Sequence, residues 1–393
     1  MLNKPPKTPQ QIWLRVLLIF LIWRCSLFLL EFLGLQLTEE FDFFGRYLNV
    51  EGIINARKEW QAFPSNYFFD GFFRFDSVWF DRIAQRGYYI EGSQSNVAFF
   101  PLYPYLSRWL GYLIGNHLVA GWIISNLSLI GSLFYIYRIG LLYFNTRTIE
   151  RAFVLLLVFP NSFYLSTFYS EGLFLLTTTA SFYAFLTQKY LKAGIWGMLA
   201  CLTRFSGILL FFAFVADLLY SRWRAKQPFQ PAVAFLLLIP VGILIFMLIL
   251  TIQVGDPLAF MKAQAGWGRE RTFPLITLAQ EFTKINFQFP RDPNNAIHVL
   301  DWLGAVGFLL ISVLMALKRY RVSLWSYTAF SILMPLSTGT TMSMLRFCSV
   351  TFPAFFYLAE VARRSTVYAY LLFVFAFLLS IYNLRFMNWF YGV

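Results

Sequence analysis

Between residues 12 and 383 the chain keeps returning to apolar runs, and short clusters of Lys and Arg fill most of the gaps between them. A bilayer core needs about 20 apolar residues per helix. Within lipid every backbone polar group must be satisfied inside the segment, so such runs become helices. The runs fall at 12–33, 118–140, 151–166, 171–187, 194–206, 207–220, 232–253, 298–317, 323–337, 346–361 and 366–383. Hydrophobic residues make up 59% of the chain and charged ones 13%, against roughly 45–50% and 25% in soluble domains. No water-soluble fold of this size hides that much apolar surface. The pattern predicts an all-α polytopic membrane protein with about eleven transmembrane helices (ten to twelve), folded as one integral-membrane unit over residues 1–393. Residues 12–33 read as a first span and not as a cleaved signal, since no small-residue cleavage site follows them.

The net charge of +13 would suit a nucleic-acid binder, but its distribution does not. The basic residues come as Arg138/Arg147/Arg151, Lys189/Lys192, Arg222/Arg224/Lys226, Lys318/Arg319/Arg321 and Arg363/Arg364, the short loop clusters that mark the cytoplasmic side of membrane proteins. Placing all of them inside, with the amino terminus and its Lys4 and Lys7, closes the parity of eleven spans. Residues 99–114, broken by Pro101 and Pro104, then form a re-entrant or interfacial segment. Loops 34–97 and 254–297 face outward under this topology, as do Asp76, Glu171, Arg204, Arg269, Arg271 and Arg346. Arginines on that side run against the usual bias and need an anionic partner. Arg24 and Glu31, seven residues apart on one face of the first span, are read as a pair or as snorkelling side chains.

Charge and aromatics are densest in the stretch from Arg74 to Tyr88, which continues to Pro104. There Asp76 reads in two ways: a general base at the membrane surface, or an interfacial ion-pair partner of Arg74 or Arg82. Asp81 reads as a structural salt-bridge partner, and Asp70 with Glu39, Glu40 and Asp42 as solvated loop acids. Glu171 opens a span, where it either binds substrate or favours a helix amino terminus. Trp79, Tyr88 and Tyr103 suit an aromatic belt, with sugar stacking as the functional alternative. Loop 254–297 mixes Trp267 with Lys262, Arg269 and Arg271, and is long enough to cover a site. The three cysteines lie far apart and the two histidines, His117 and His298, sit at span ends. No metal site is expected from these residues. An Mg²⁺ bridging carboxylate and phosphate fits the chemistry, but no carboxylate pair demands one.

An outward carboxylate could deprotonate a hydroxyl while nearby arginines hold a departing phosphate through their bidentate forks. Outside a cell a sugar donor must be carried on lipid, and an apolar groove with a charged mouth would hold it. The residues also resemble a family. Arg74-Phe75-Asp76-Ser77-Val78-Trp79-Phe80 with Ile83-Ala84 and Gly87-Tyr88, followed by Ala98-Phe99-Phe100-Pro101-Leu102-Tyr103-Pro104, resembles the PIG-V-like mannosyltransferases of the GT-C glycosyltransferase superfamily. These are the second mannosyltransferase of GPI-anchor synthesis and its prokaryotic relatives. Further likeness lies in Phe159-Pro160-Asn161-Ser162, Tyr169-Ser170-Glu171, Leu202-Thr203-Arg204 with Gly207, and Leu345-Arg346-Phe347 with Phe352-Pro353.

The resemblance implies a GT-C-like fold and inverting transfer of a hexosyl residue, mannosyl as the favoured sugar. The donor would be a polyprenyl- or dolichyl-phosphate sugar, and the acceptor hydroxyl would sit on a glycan, glycolipid or protein. It makes Asp76 the base and Arg204 and Arg346 the candidates for the donor phosphate, with Arg74, Glu171, Arg269, Trp79 and Tyr103 as further substrate contacts. It also implies a prokaryotic plasma membrane or the endoplasmic reticulum, with the site on the extracytoplasmic or lumenal side. Membrane lipid is the expected partner; nucleic acid is not. The competing class is a transporter or flippase of lipid-linked or small polar substrates. Against it, the hydropathy shows no pair of related halves.

Overall fold

A computed structural model describes residues 8–37, 63, 67–91, 94–225, 230–264, 268–288 and 293–388. Glu39, Glu40, Asp42, Trp267, Lys4, Lys7, Lys226 and the rest of residues 38–62 lie outside the described residues. The described residues are 78% helical, with one two-residue antiparallel pairing of Ile90–Glu91 with Gln94–Ser95.

The first long helix, α1, spans Pro9–Leu37. Next come α2 (Ser77–Arg86) and α3 (Leu102–Ile114). α4 (His117–Gly140) is capped by Asn116, whose side chain accepts from the amides of Leu118 and Val119. α5 (Thr146–Leu157) is capped in the same way by Asn145. Then follow α6 (Glu171–Leu186), α7 (Tyr190–Thr203), α8 (Leu209–Ala225) and α9 (Leu238–Val254). The short α10 (Pro274–Thr283) precedes α11 (Pro293–Leu317) and α12 (Val322–Leu336). The chain closes with α13 (Met344–Ser349), α14 (Pro353–Val361) and α15 (Ser365–Met387).

Six helices among the described residues are long and apolar enough to cross a membrane: Pro9–Gln36, His117–Gly140, Phe205–Arg224, Pro231–Val254, Asn295–Leu317 and Ser365–Met387. Each of the other five expected runs also carries helix, but in shorter pieces. α5 stops before Pro160, and the run at 346–361 divides at Pro353 into α13 and α14. Proline lacks the amide N–H and disfavours helix in the residue before it. α6 is buried nearly all round. Its hydropathy reports burial in protein as readily as burial in lipid. At about 1.5 Å per residue, the 13-residue α3 is too short to cross, in keeping with an interfacial segment.

Polar contacts sort the loops to two ends of the bundle. At one end Arg15 pairs with Glu150, Arg151 donates to the carbonyls of Ala362 and Arg363, and Arg321 pairs with Asp217 at 2.9 Å. Glu360 takes Arg363 there at 2.6 Å. At the other end Arg74 Nε donates to the Met387 carbonyl at 3.0 Å, and His117 pairs with Asp81. Within α1, Arg24 and Glu31 lie 3.6 Å apart, both buried, with the guanidinium over the rings of Phe28 and Phe72. The mutual-pairing reading of these two therefore holds.

Candidate active site

At the end that holds Arg74 and Met387, a cavity of about 600 Å³ opens between the breaks of α6, α7 and α13. Its charged wall comprises Asp76, Arg204, Lys262, Arg269, Glu270, Arg271, Asp301 and Arg346. Cations thus outnumber carboxylates there, five to three. The remainder is largely aromatic and aliphatic, with Phe80, Phe99, Phe100, Phe205, Phe260 and Phe347. Phe205 and Met261 at its edge are 40% and 41% exposed.

Asp76 occupies the position just before α2, where an aspartate ordinarily accepts from the first amides of the helix. Here its side chain makes no such cap. The carboxylate instead accepts from Arg346 Nη1 at 2.8 Å. Arg346 donates through Nε to Glu171 Oε1, and Arg204 Nη1 donates to the same oxygen. Ser170 Oγ accepts from Arg204 at 3.3 Å. The Arg346 guanidinium lies 4.7 Å from the ring centres of both Tyr164 and Tyr169, a favourable cation–π arrangement. Asp76, Glu171, Arg204 and Arg346 therefore form a charge-balanced quartet, with Glu171 only 1% exposed behind the cavity wall.

Two close backbone approaches build this corner. A Cβ at residue 172 would fall 2.5 Å from the Leu165 carbonyl oxygen and 2.7 Å from that of Ser125, so Gly172 lets α6 begin where Glu171 is needed. A Cβ at residue 207 would fall 2.4 Å from the Cys201 amide nitrogen. Gly207 thereby lets the turn after Arg204 fold back on α7.

Asp301, which the sequence reading passes over, accepts from the amides of Ser343 (3.0 Å) and Leu345 (2.9 Å). It thus fixes the start of α13 and with it Arg346. The sequence signal for it is an acid inside an otherwise apolar run, with no base nearby. Loop 268–272 lies against the turn after α12: Glu270 N donates to the Thr338 carbonyl and Thr272 N to that of Ser337, both at 3.0 Å. Arg269 and Arg271 reach the wall on this loop, and Lys262 pairs there with Asp256 at 2.6 Å.

Other expected site residues stand elsewhere. Arg74 is wholly buried, and its guanidinium holds Asp70 and the Met387 carbonyl. Asp70 is consequently a buried ion-pair partner and not a solvated acid. Tyr103 belongs to the core and not to an interfacial belt; its hydroxyl meets Ser125 Oγ at 3.0 Å. Tyr88 is likewise buried, donating to the Phe99 carbonyl at 2.8 Å. Trp79 stacks on Phe99 with Arg82 against its ring. Asp81 is the structural partner expected, held by His117 and Gln85. His298 Nε2 donates to the Glu281 carbonyl (3.0 Å) and helps fasten α10.

The fold and the cavity define an all-α integral membrane protein with a charged, aromatic-walled cavity at one end of its bundle. Compared with known proteins, the chain matches no protein-family model, no curated protein and no solved structure.

Proposed function

We propose that the protein is an inverting GT-C-type glycosyltransferase of the PIG-V-like kind, drawing a hexosyl residue, mannosyl by resemblance, from a polyprenyl-phosphate-linked donor. The observation that carries this reading is the disposition of Asp76: a carboxylate diverted from helix capping into a cavity, facing Arg346 within a wall richer in cations than in acids. In the reaction Asp76 takes the proton of an acceptor hydroxyl. The freed oxygen attacks the anomeric carbon opposite the phosphate, and the bond from that carbon to the phosphate oxygen breaks. Its electron pair leaves on the polyprenyl phosphate, so the configuration inverts. A guanidinium has five N–H donors. Arg346 and Arg204 can therefore serve the quartet and still present donors to phosphate oxygens, with Arg269 across the cavity. The apolar edge at Phe205 and Met261 suits the lipid chain.

The proposal includes an eleven-pass topology with the cavity on the extracytoplasmic or lumenal side. The sorting of charged contacts to two ends supports it: Arg15, Arg151, Arg321 and Arg363 meet at one, while Asp76, Arg204 and Arg346 meet at the other.

Purified protein in vesicles, given radiolabelled polyprenyl-phosphate sugars and glycolipid, glycan or peptide acceptors, tests the reading. Label moving from donor to an acceptor, with release of polyprenyl phosphate, is the expected result. Label that crosses the membrane still joined to its lipid would instead identify a flippase.

A further inference from the structure

We propose that Tyr169 is a positioning residue whose hydroxyl clamps the backbone on both sides of Phe75 and thereby aims Asp76 at Arg346. Four non-glycine residues among those described have positive φ: Phe75 (51°), Gln188 (58°), Arg319 (58°) and Ser343 (62°). Gln188 and Arg319 stand two residues beyond the ends of α6 and α11, where a left-handed residue commonly terminates a helix. Phe75 and Ser343 end no helix. Both line the cavity, and each lies close before one member of the Asp76–Arg346 pair. A β-carbon makes this conformation unfavourable, so it persists only where the surroundings hold it.

A single hydroxyl bonds the backbone on both sides of Phe75, alongside the turn bond from Ser77 N to the Arg74 carbonyl at 3.1 Å. Tyr169 Oη donates to the Arg74 carbonyl at 2.9 Å and accepts from the Asp76 amide at 3.1 Å. These are the backbone groups immediately before and after Phe75. Neighbouring bonds stitch the same two segments together: Phe168 N donates to the Phe72 carbonyl at 3.3 Å, and Ser77 Oγ to the Phe168 carbonyl at 3.2 Å. Tyr169 is fully buried, and its ring face lies against Arg346. One side chain therefore sets both partners, the carboxylate through the backbone and the guanidinium through the ring. Removing the hydroxyl alone separates the two effects.

The activity readout rests on the glycosyl-transfer reading; a second readout does not. Tyr169→Phe keeps the ring beneath Arg346 and removes the clamp. Turnover is expected to fall about 10–100-fold, the scale of an ångström-sized misplacement of a reacting group, with apparent KM for the polyprenyl-phosphate sugar within about twofold. Glycine adopts positive φ freely, so in a Phe75→Gly background the same change should cost no more than about threefold. Comparing the cost within each background cancels the packing of Phe75 on Phe386, which both Gly variants lose. Should Phe75→Gly fail to fold, Phe75→Asn serves, because Asn also tolerates this region. In parallel, deuterium uptake by the 70–86 peptide should rise on Tyr169→Phe in the Phe75 background and change little in the Gly or Asn background. An equal effect of Tyr169→Phe in both backgrounds, or no effect in either, overturns the clamp. Absence of transfer by the wild-type protein would sink the proposed reaction instead, and the uptake comparison would still decide the clamp.

Discussion

Arg346 donates to Asp76 and Glu171 at once, across sequence separations of 270 and 175 residues. Replacing it by Lys keeps a positive charge but not the fork. Donor titration of Arg346→Lys should show both weaker donor use and lower turnover; unchanged values would return the arginine to a structural role. Glu171→Gln keeps the side-chain shape and leaves two arginines facing each other without their shared anion. Losing one partner of a buried ion pair costs about 3–5 kcal/mol, so its melting temperature in detergent should fall well below that of wild type. Asp76, Glu171, Arg204 and Arg346 were legible in the sequence because a charge beside apolar runs is costly and stands out. Their pairing was not, since nothing local relates residues so far apart. Arg74 misled for the same reason: its partners are Asp70, one turn away, and a carbonyl at the far end of the chain. Tyr169 and Asp301 carry structural bonds that composition and spacing do not announce.

α10 lies at the end of the bundle that holds the cavity and is fastened by Glu281. That carboxylate accepts from Lys284 at 2.5 Å and from Thr341 Oγ1 at 3.0 Å, beside the turn that leads to Arg346. Thr277 Oγ1 adds a bond to the Leu336 carbonyl at 2.8 Å. Burial pushes the Glu281 carboxyl up, but the hydrogen bonds from Lys284 and Thr341 outweigh it and leave it below the usual carboxylate range. A folded-state value depressed in this way contributes stability above the unfolded value, near 4.3 for Glu, and that stability is lost as pH falls through the folded value. Proteolysis within loop 254–297 should therefore quicken as the pH is lowered below about 4. Glu281→Gln should already show that sensitivity at neutral pH. Equal cleavage of wild type and Glu281→Gln at all pH values would contradict the fastening role. Hydropathy located nearly all the long helices because a run of apolar residues needs only counting. It could not place the breaks before Glu171 and before Met344 as cavity-forming ends, because that depends on which neighbours cover them. α10 lies inside what reads in the sequence as a loop long enough to cover a site.

Over the whole molecule, charged contacts divide between two ends, and the site sits at the end that holds Arg204, Arg269, Arg271 and Arg346. Single cysteines placed at residues 76 and 269 should label from one side of sealed vesicles, and those at 15 and 363 from the other. Labelling of 76 and 269 from opposite sides would dissolve the shared cavity. The most direct test of the account is transfer by Asp76→Asn. General-base catalysis is worth about 10²–10⁴-fold, and Asn preserves the side-chain shape. With labelled polyprenyl-phosphate sugar and an accepted acceptor, turnover should fall by that range without a matching rise in apparent KM, as for an interaction made in the transition state. Asp81→Asn, which touches the His117 pairing and not the cavity, should cost far less turnover. Near-normal turnover by Asp76→Asn would contradict the assignment of Asp76 as the base.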